Sequence, residues 1–335
     1  MKAILQLQTT FLVLFSFLFL CGCPCKPNGF LFDGAEGGPG TDTNSLRDPA
    51  GMTKRWTTTT GDFDLFIADR GNNRIQKWGA KKSSIVSDSG SLPGQLRAPA
   101  SIAVTQLDIL NGGGLKNGEA PPPNELSIYV TDAGNNRIQQ FDLTGRFIRT
   151  WGKLGNALGE FNYPRGIGID YSSSVYVVDS KNRRVQVFDS TGSFLTSWGG
   201  SGSMDGMFSA PIDISLGFSL ANSLVYVAVS DSGNNRVQFF SPDGVFLKSI
   251  KGLPGATGLS STGTTLAVLT SGDDFLTLVS WPTLAVKKFS VSQVNKPADI
   301  VGEFDFALRG VSSFTVSDAG DDRILFYTFV DCNRK

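Results

Sequence analysis

Histidine is absent from this chain of 335 residues. Without an imidazole there is no Ser-His-Asp or Cys-His catalytic unit and no metal site with histidine ligands. Charge is sparse and balanced: Lys plus Arg number 30, Asp plus Glu number 30, and only 18% of residues are charged. A zero net charge argues against a nucleic-acid binder, whose affinity comes largely from neutralising phosphates. No Asn-x-Ser/Thr sequon occurs, which favours a bacterial surface over a eukaryotic secretory route. The apolar run Phe11 to Leu20 is too short to span a bilayer. Glycine (39) and proline (15) are plentiful instead, and 40% of residues are hydrophobic. That composition describes a globular chain of many short strands and turns rather than a helical bundle. The length suits one large all-β ring.

The amino terminus reads as a targeting segment. Met1-Lys2 is a short positive start, and the Phe11–Leu20 run has the length of a signal-peptide core. Leu20-Cys21-Gly22-Cys23 resembles the bacterial lipobox. That resemblance implies removal of residues 1–22, lipidation of Cys23 and a short anchor over residues 23–28, followed by a domain over 29–335. The alternative is a plain secretory peptide cut near the same place. Either way the mature protein lies outside the cytoplasm, and any membrane contact is through the lipid alone.

The remainder is repetitive. Ile67-Ala-Asp-Arg-Gly-Asn-Asn-Arg-Ile-Gln-Lys-Trp78 recurs from Val130 to Phe141, Val177 to Phe188, Val229 to Phe240 and Val316 to Tyr327. A degraded copy runs from Val268 to Val279. Each copy predicts two strands joined by a tight turn, with Gly-Asn-Asn supplying the positive φ. A Gly-led strand follows most copies, as in Gly145-Arg-Phe-Ile-Arg-Thr-Trp-Gly152. A Pro-led innermost strand precedes each, at Pro49, Pro99, Pro164, Pro211, Pro254 and Pro297. Six units of four strands predict an all-β, six-bladed β-propeller. The repeats resemble NHL repeats, whose signature is the Asp-x-Gly-Asn-x-Arg turn, across residues 29 to 330. The last copy lacks a Gly-led strand, and Gly29-Phe-Leu-Phe-Asp-Gly34 offers one. The N-terminal strand is therefore expected to complete the last blade, which removes an open sheet edge.

Residues found in nearly every copy are expected to serve the blade. The Asp at 69, 132, 179, 231 and 318 can accept turn amides, and the Arg at 74, 137, 184, 236 and 323 can reach that carboxylate or neighbouring carbonyls. Trp78, Phe141, Phe188, Phe240 and Tyr327 are expected in the core. Function is sought where copies differ. Arg70, Lys181 and Arg183 make one side of the turn-bearing face basic, and Asp273, Asp274, Asp321 and Asp322 make the other acidic. Near the axis, Arg165, Asp213 and Asp299 interrupt small residues. They read either as a site for a zwitterionic or polar ligand or as a structural ion pair. The long insertion 106–124, with Gly112-Gly-Gly114 and Pro121-Pro-Pro123, falls on the face opposite the turns. With Cys21 lost and Cys23 lipidated, Cys25 and Cys332 flank strands expected to pair, which predicts a disulfide; an unlipidated Cys23 could replace Cys25.

The favoured function is a non-catalytic module, monomeric and extracytoplasmic, that binds a protein, peptide or glycan. The family resemblance implies two enzymatic alternatives. A zinc-dependent lyase would need histidines that the chain lacks. A calcium-dependent lactonase needs only oxygen ligands, which Asp213 and Asp299 could supply. RNA binding, known for cytosolic NHL domains, conflicts with the neutral charge and the export signal. No cofactor other than calcium is suggested.

Overall fold

The computed structural model describes residues 29–330 except 57–62, 80–82, 87, 106–125, 220–222, 264, 273–274, 291–294 and 305–311. Cys21, Cys23, Cys25, Cys332, Asp273, Asp274 and the insertion 106–124 lie outside the described residues. The described chain forms six four-stranded antiparallel sheets arranged as the blades of a propeller. Blades 1 to 5 span 49–86, 99–151, 164–199, 211–251 and 256–290. Blade 6 takes three strands from 297–330 and its fourth from Gly29–Gly37. That first strand pairs with Arg323–Val330, from Gly29 opposite Val330 to Gly37 opposite Arg323.

The second strand of each blade shows why sheets stack face to face. Val175–Asp179 is buried at all five positions, as a strand covered on both faces must be. Each apolar cluster is accordingly shared between two neighbouring blades. Tyr176, Val178 and Val187 of blade 3, for example, pack with Val227, Val229 and Phe240 of blade 4. The repeated aromatics Trp78, Phe141, Phe188, Phe240 and Tyr327 are all buried in these layers. Trp151 and Trp198 each lie over a glycine of the next blade's outer turn. A Cβ on Gly192 would come within 2.7 Å of the Trp151 ring.

Two sequence expectations need adjustment. In blades 1 to 4 the turn after the Asp is a single 3-10 turn, such as Arg70–Asn72, and within Gly-Asn-Asn the positive φ falls on the last residue, Asn73 at φ 55°. Asn136, Arg183 and Asn235 repeat this geometry. Asparagine tolerates that region because its short amide bonds locally. Gly71 has a different duty: a Cβ there would lie 2.7 Å from the Arg47 carbonyl oxygen. The second correction concerns blade 5. In the other blades the leading Pro pairs with the repeat Asp, as Pro49 with Asp69. In blade 5 the strand begins at Ala256, which pairs with Thr270, so Pro254 belongs to the connector. Thr270 replaces the Asp and turns its hydroxyl to the Phe275 carbonyl at 2.9 Å.

Candidate functional site

The repeated polar residues form one device, used blade after blade. Asp69 Oδ1 accepts the amide of Arg47 in the connector entering blade 1 at 2.7 Å. Its Oδ2 accepts Arg74 Nε at 2.6 Å and Asn72 Nδ2 at 2.9 Å. Arg74 NH2 then donates to the connector carbonyls of Asp42 and Ser45. Blade 4 is the tightest instance: Arg236 is 1% exposed and donates to Asp231, Ser203, Met204 and Met207. The second Asn reaches forward instead, with Asn73 Oδ1 accepting the Ala98 amide at 2.7 Å. Each turn is thereby stapled to the connectors on both sides. The repeat glutamines join in, Gln76 Nε2 donating to Ser45 O and Asp69 Oδ2. Their role went unassigned from sequence because their connector partner is about 30 residues away.

Around the axis, six innermost strands approach closely at equivalent positions: Gly51, Ser101, Gly166, Asp213, Gly258 and Asp299. Glycine is required beside its bulkier neighbour. A Cβ on Gly166 would sit 2.7 Å from the Asp213 Cα, and one on Gly258 would sit 2.9 Å from the Asp299 Cα. Arg165, Asp213 and Asp299 do come together here, with Arg70, around a cavity of about 30 Å³. That volume holds roughly one or two water molecules. Thr257, rather than Gly255 or Ala256, lines it from blade 5. Asp213 Oδ2 accepts the Leu259 amide of blade 5 at 2.8 Å, and Asp299 Oδ2 accepts the Met52 amide of blade 1 at 2.6 Å.

Both carboxyls line this one cavity, so the ionisation of one is opposed by the charge of the other. Burial pushes Asp213 up to about 6, opposed by backbone amides and the Arg165 charge. Burial and then the Asp213 charge raise Asp299 well above the usual carboxylate range. Burial, followed by the Arg70 charge, lowers the Arg165 guanidinium. No group of three or more Asp, Glu, Cys or His positioned for a metal occurs among the described residues.

The turn-bearing face carries the remaining candidates. Arg70 is tied to Asp48 by two 2.7 Å bonds, so its charge is locally balanced. Lys181 does not reach the axial cluster's lining; its Nζ lies 5.2 Å above the Tyr163 ring. Arg183 donates to the Ser209 carbonyl at 3.1 Å and to Ser201 Oγ at 3.0 Å. Asp321 accepts Arg323, and Asp322 accepts the Asp48 amide. Sequence reasoning missed two features of this face. Three successive connectors expose Leu92 (64%), Leu154 (65%), Leu158 (62%) and Met204 (66%). Beside Leu92, a cleft of about 430 Å³ opens between Asn73, Ser89, Gly90, Ser91, Arg97 and Ala98.

A family described as a 6-bladed beta-propeller matches residues 124–198. No curated protein sequence matches the chain. Solved structures resemble it at low identity. A protein of unknown function from Bacteroides thetaiotaomicron is 15% identical with a TM-score of 0.61, covering 90% of this chain and 76% of the other. A catalytically inactive histidine-to-alanine variant of virginiamycin B lyase from Staphylococcus aureus, with quinupristin, is 12% identical with a TM-score of 0.56, covering 90% and 100%. A chain from a nidogen/laminin complex is 16% identical with a TM-score of 0.56, covering 82% and 97%. At such identities the likeness establishes the architecture alone: a six-bladed β-propeller.

Proposed function

We propose that this chain is an exported, lipid-anchored propeller of the NHL type that binds a protein or peptide partner through its turn-bearing face. The exposed apolar side chains on three consecutive connectors carry this reading. Leu92, Leu154, Leu158 and Met204 stand on the connectors into blades 2, 3 and 4, whereas the connector into blade 1 exposes Asp42, Thr43 and Asn44. Apolar side chains gathered on one part of a surface mark contact sites. Aliphatic rather than aromatic residues favour a protein or peptide over a glycan. The repeated Asp, Arg, Asn and Gln are consumed in stapling the ring, so the variable connectors hold the recognition groups. A lyase activity is disfavoured: the related lyase is inactive when a histidine becomes alanine, and this chain has no histidine.

Photo-crosslinking amino acids at Leu158 and Met204, compared with Leu195 and Leu247 on the outer strands of blades 3 and 4, test the proposal in the native cell. A discrete adduct from the connector positions alone is expected. Identical adduct patterns from all four positions, or none from the connectors, would refute it.

A further inference from the structure

The cleft beside Leu92 differs from three of its counterparts around the ring in two side chains. One wall is the left-handed residue of the preceding blade's turn. The other is the connector residue just before the leading Pro. Between blades 1 and 2 these are Asn73 and Ala98. Between blades 3 and 4 the turn residue is Arg183, whose guanidinium crosses the gap to Ser209 and Ser201. Between blades 2 and 3 the connector residue is Tyr163, a large ring capped by Lys181. Between blades 6 and 1 the corresponding residues are Asp322 and Asp48, with Arg70 paired to Asp48. Short side chains leave the first gap open; between blades 4 and 5, where Asn235 and Gly255 are as short, the connector is only 252–255 and supplies no counterpart of Ser89–Ser91.

Its chemistry is that of a donor-rich wall. Arg97 is the one ionisable residue of the lining, is exposed, and makes no salt bridge among the described residues. Its stem is held in place: a Cβ on Gly134 would come within 2.8 Å of Arg97 Cγ, so the absent side chain lets the arginine lie across the blade 2 turn. The Asn73 carbonyl oxygen is occupied by the Ala98 amide, which leaves its N–H donors on offer. Ser89 and Ser91 add hydroxyls. A volume of about 430 Å³ lies within the range of ligand sites. Leu92, 64% exposed, stands on the same connector.

From this juxtaposition we propose that the cleft between blades 1 and 2 takes a carboxylate side chain of an acidic peptide, with Arg97 as its ion-pair partner and Leu92 seating an adjacent apolar residue. This rests on the binding-face reading and adds the partner's chemistry to it. A guanidinium forms two parallel bonds with a carboxylate, which gives direction as well as strength.

The test uses fluorescence anisotropy with a labelled, amidated peptide carrying leucine between two glutamates, and its glutamine counterpart. The glutamate peptide is expected to bind at least tenfold more tightly to the wild-type chain. Arg97→Gln should abolish that preference. Ala98→Tyr places at this position what the next connector already carries; both positions are left-handed, φ 45° at Ala98 and 57° at Tyr163, so the fold should accept it. It should remove binding of both peptides with an unchanged melting temperature. A free-acid peptide without glutamates that binds as well as the glutamate peptide would assign the cleft to a chain terminus and overturn the side-chain proposal. Equal binding of the glutamate and glutamine peptides, or a preference that survives Arg97→Gln, would also overturn it. Crosslinking at Leu158 and Met204 separates the two levels: adducts there without glutamate preference would leave the binding face standing and the cleft disproved.

Discussion

Replacing Asp213 with Asn should make the ring more stable in alkaline solution. In the folded ring Asp213 holds its proton up to about pH 6, against 3.8 for an ordinary aspartate. Between those values the folded state binds a proton that the unfolded chain has released. The stabilising difference is complete below about pH 4 and is lost as pH rises through about 6. The rise from 3.8 to about 6 is worth about 3 kcal/mol, at about 1.4 kcal/mol per pH unit. Asp299 is raised as well, by burial and its partner's charge, and adds to the loss. Asparagine at 213 preserves the shape: its carbonyl oxygen can accept the Leu259 amide, and it carries no charge to bury. Asp213→Asn should match the wild type near pH 4.5 and exceed it near pH 8. A gap of about 3 kcal/mol corresponds to about 6 °C, taking ~2 °C per kcal/mol for a large domain. Thermal melts of both proteins at half-unit steps from pH 4.5 to 8 measure it. A variant whose melting temperature falls in parallel with the wild type would refute the buried-carboxylate account.

Arg236→Lys should destabilise the ring by about 3 kcal/mol or more, because one ammonium cannot serve Asp231 and three connector carbonyls from a 1% exposed site; denaturant titration reads this out. Cys23→Ala should move the mature protein from the membrane to the soluble fraction, and unchanged membrane association would count against lipidation. Mass spectrometry of the unreduced protein should find a peptide joining the Cys332 region to Cys25, or to Cys23 if that residue carries no lipid. In the chain-entropy treatment such a bond across about 300 residues contributes up to roughly 5 kcal/mol. A free thiol at Cys332 in the exported protein would rule it out.

The blade count, the four-strand unit and the closing strand were legible because they rest on local spacing. A copy of Asp-x-Gly-Asn-Asn-Arg announces one turn, and Gly29–Gly37 resembles the strands it replaces. Blade 5 was misaligned for a local reason too: Pro254 marks a strand start elsewhere but falls in a short connector here. The convergence of Arg165, Asp213 and Asp299 could be anticipated, since equivalent positions meet at an axis. Their raised carboxyls could not, because the burial and charge coupling depend on two strands from blades 4 and 6 reaching the same point. The cleft at Arg97 is assembled from the blade 1 turn and a connector some 15 residues later in sequence, and its openness comes from what neighbouring gaps contain. Lining up the residue before each leading Pro (Asp48, Ala98, Tyr163, Ala210, Lys296) would have flagged Ala98 and Ala210 as small. It would not have shown that a cavity follows.

The register of the closing strand also fixes which way the ring faces. Gly37 lies opposite Arg323 at the turn-bearing face, so Gly29, opposite Val330, lies at the other. The first residue of the domain, Gly29, therefore sits beneath, on the face away from the turns. If Cys23 holds the lipid, the six residues from 23 to 28 reach at most about 20 Å when extended. The propeller would then ride close to the bilayer with its connectors turned outward. A partner would have to arrive from the surroundings rather than from the same membrane.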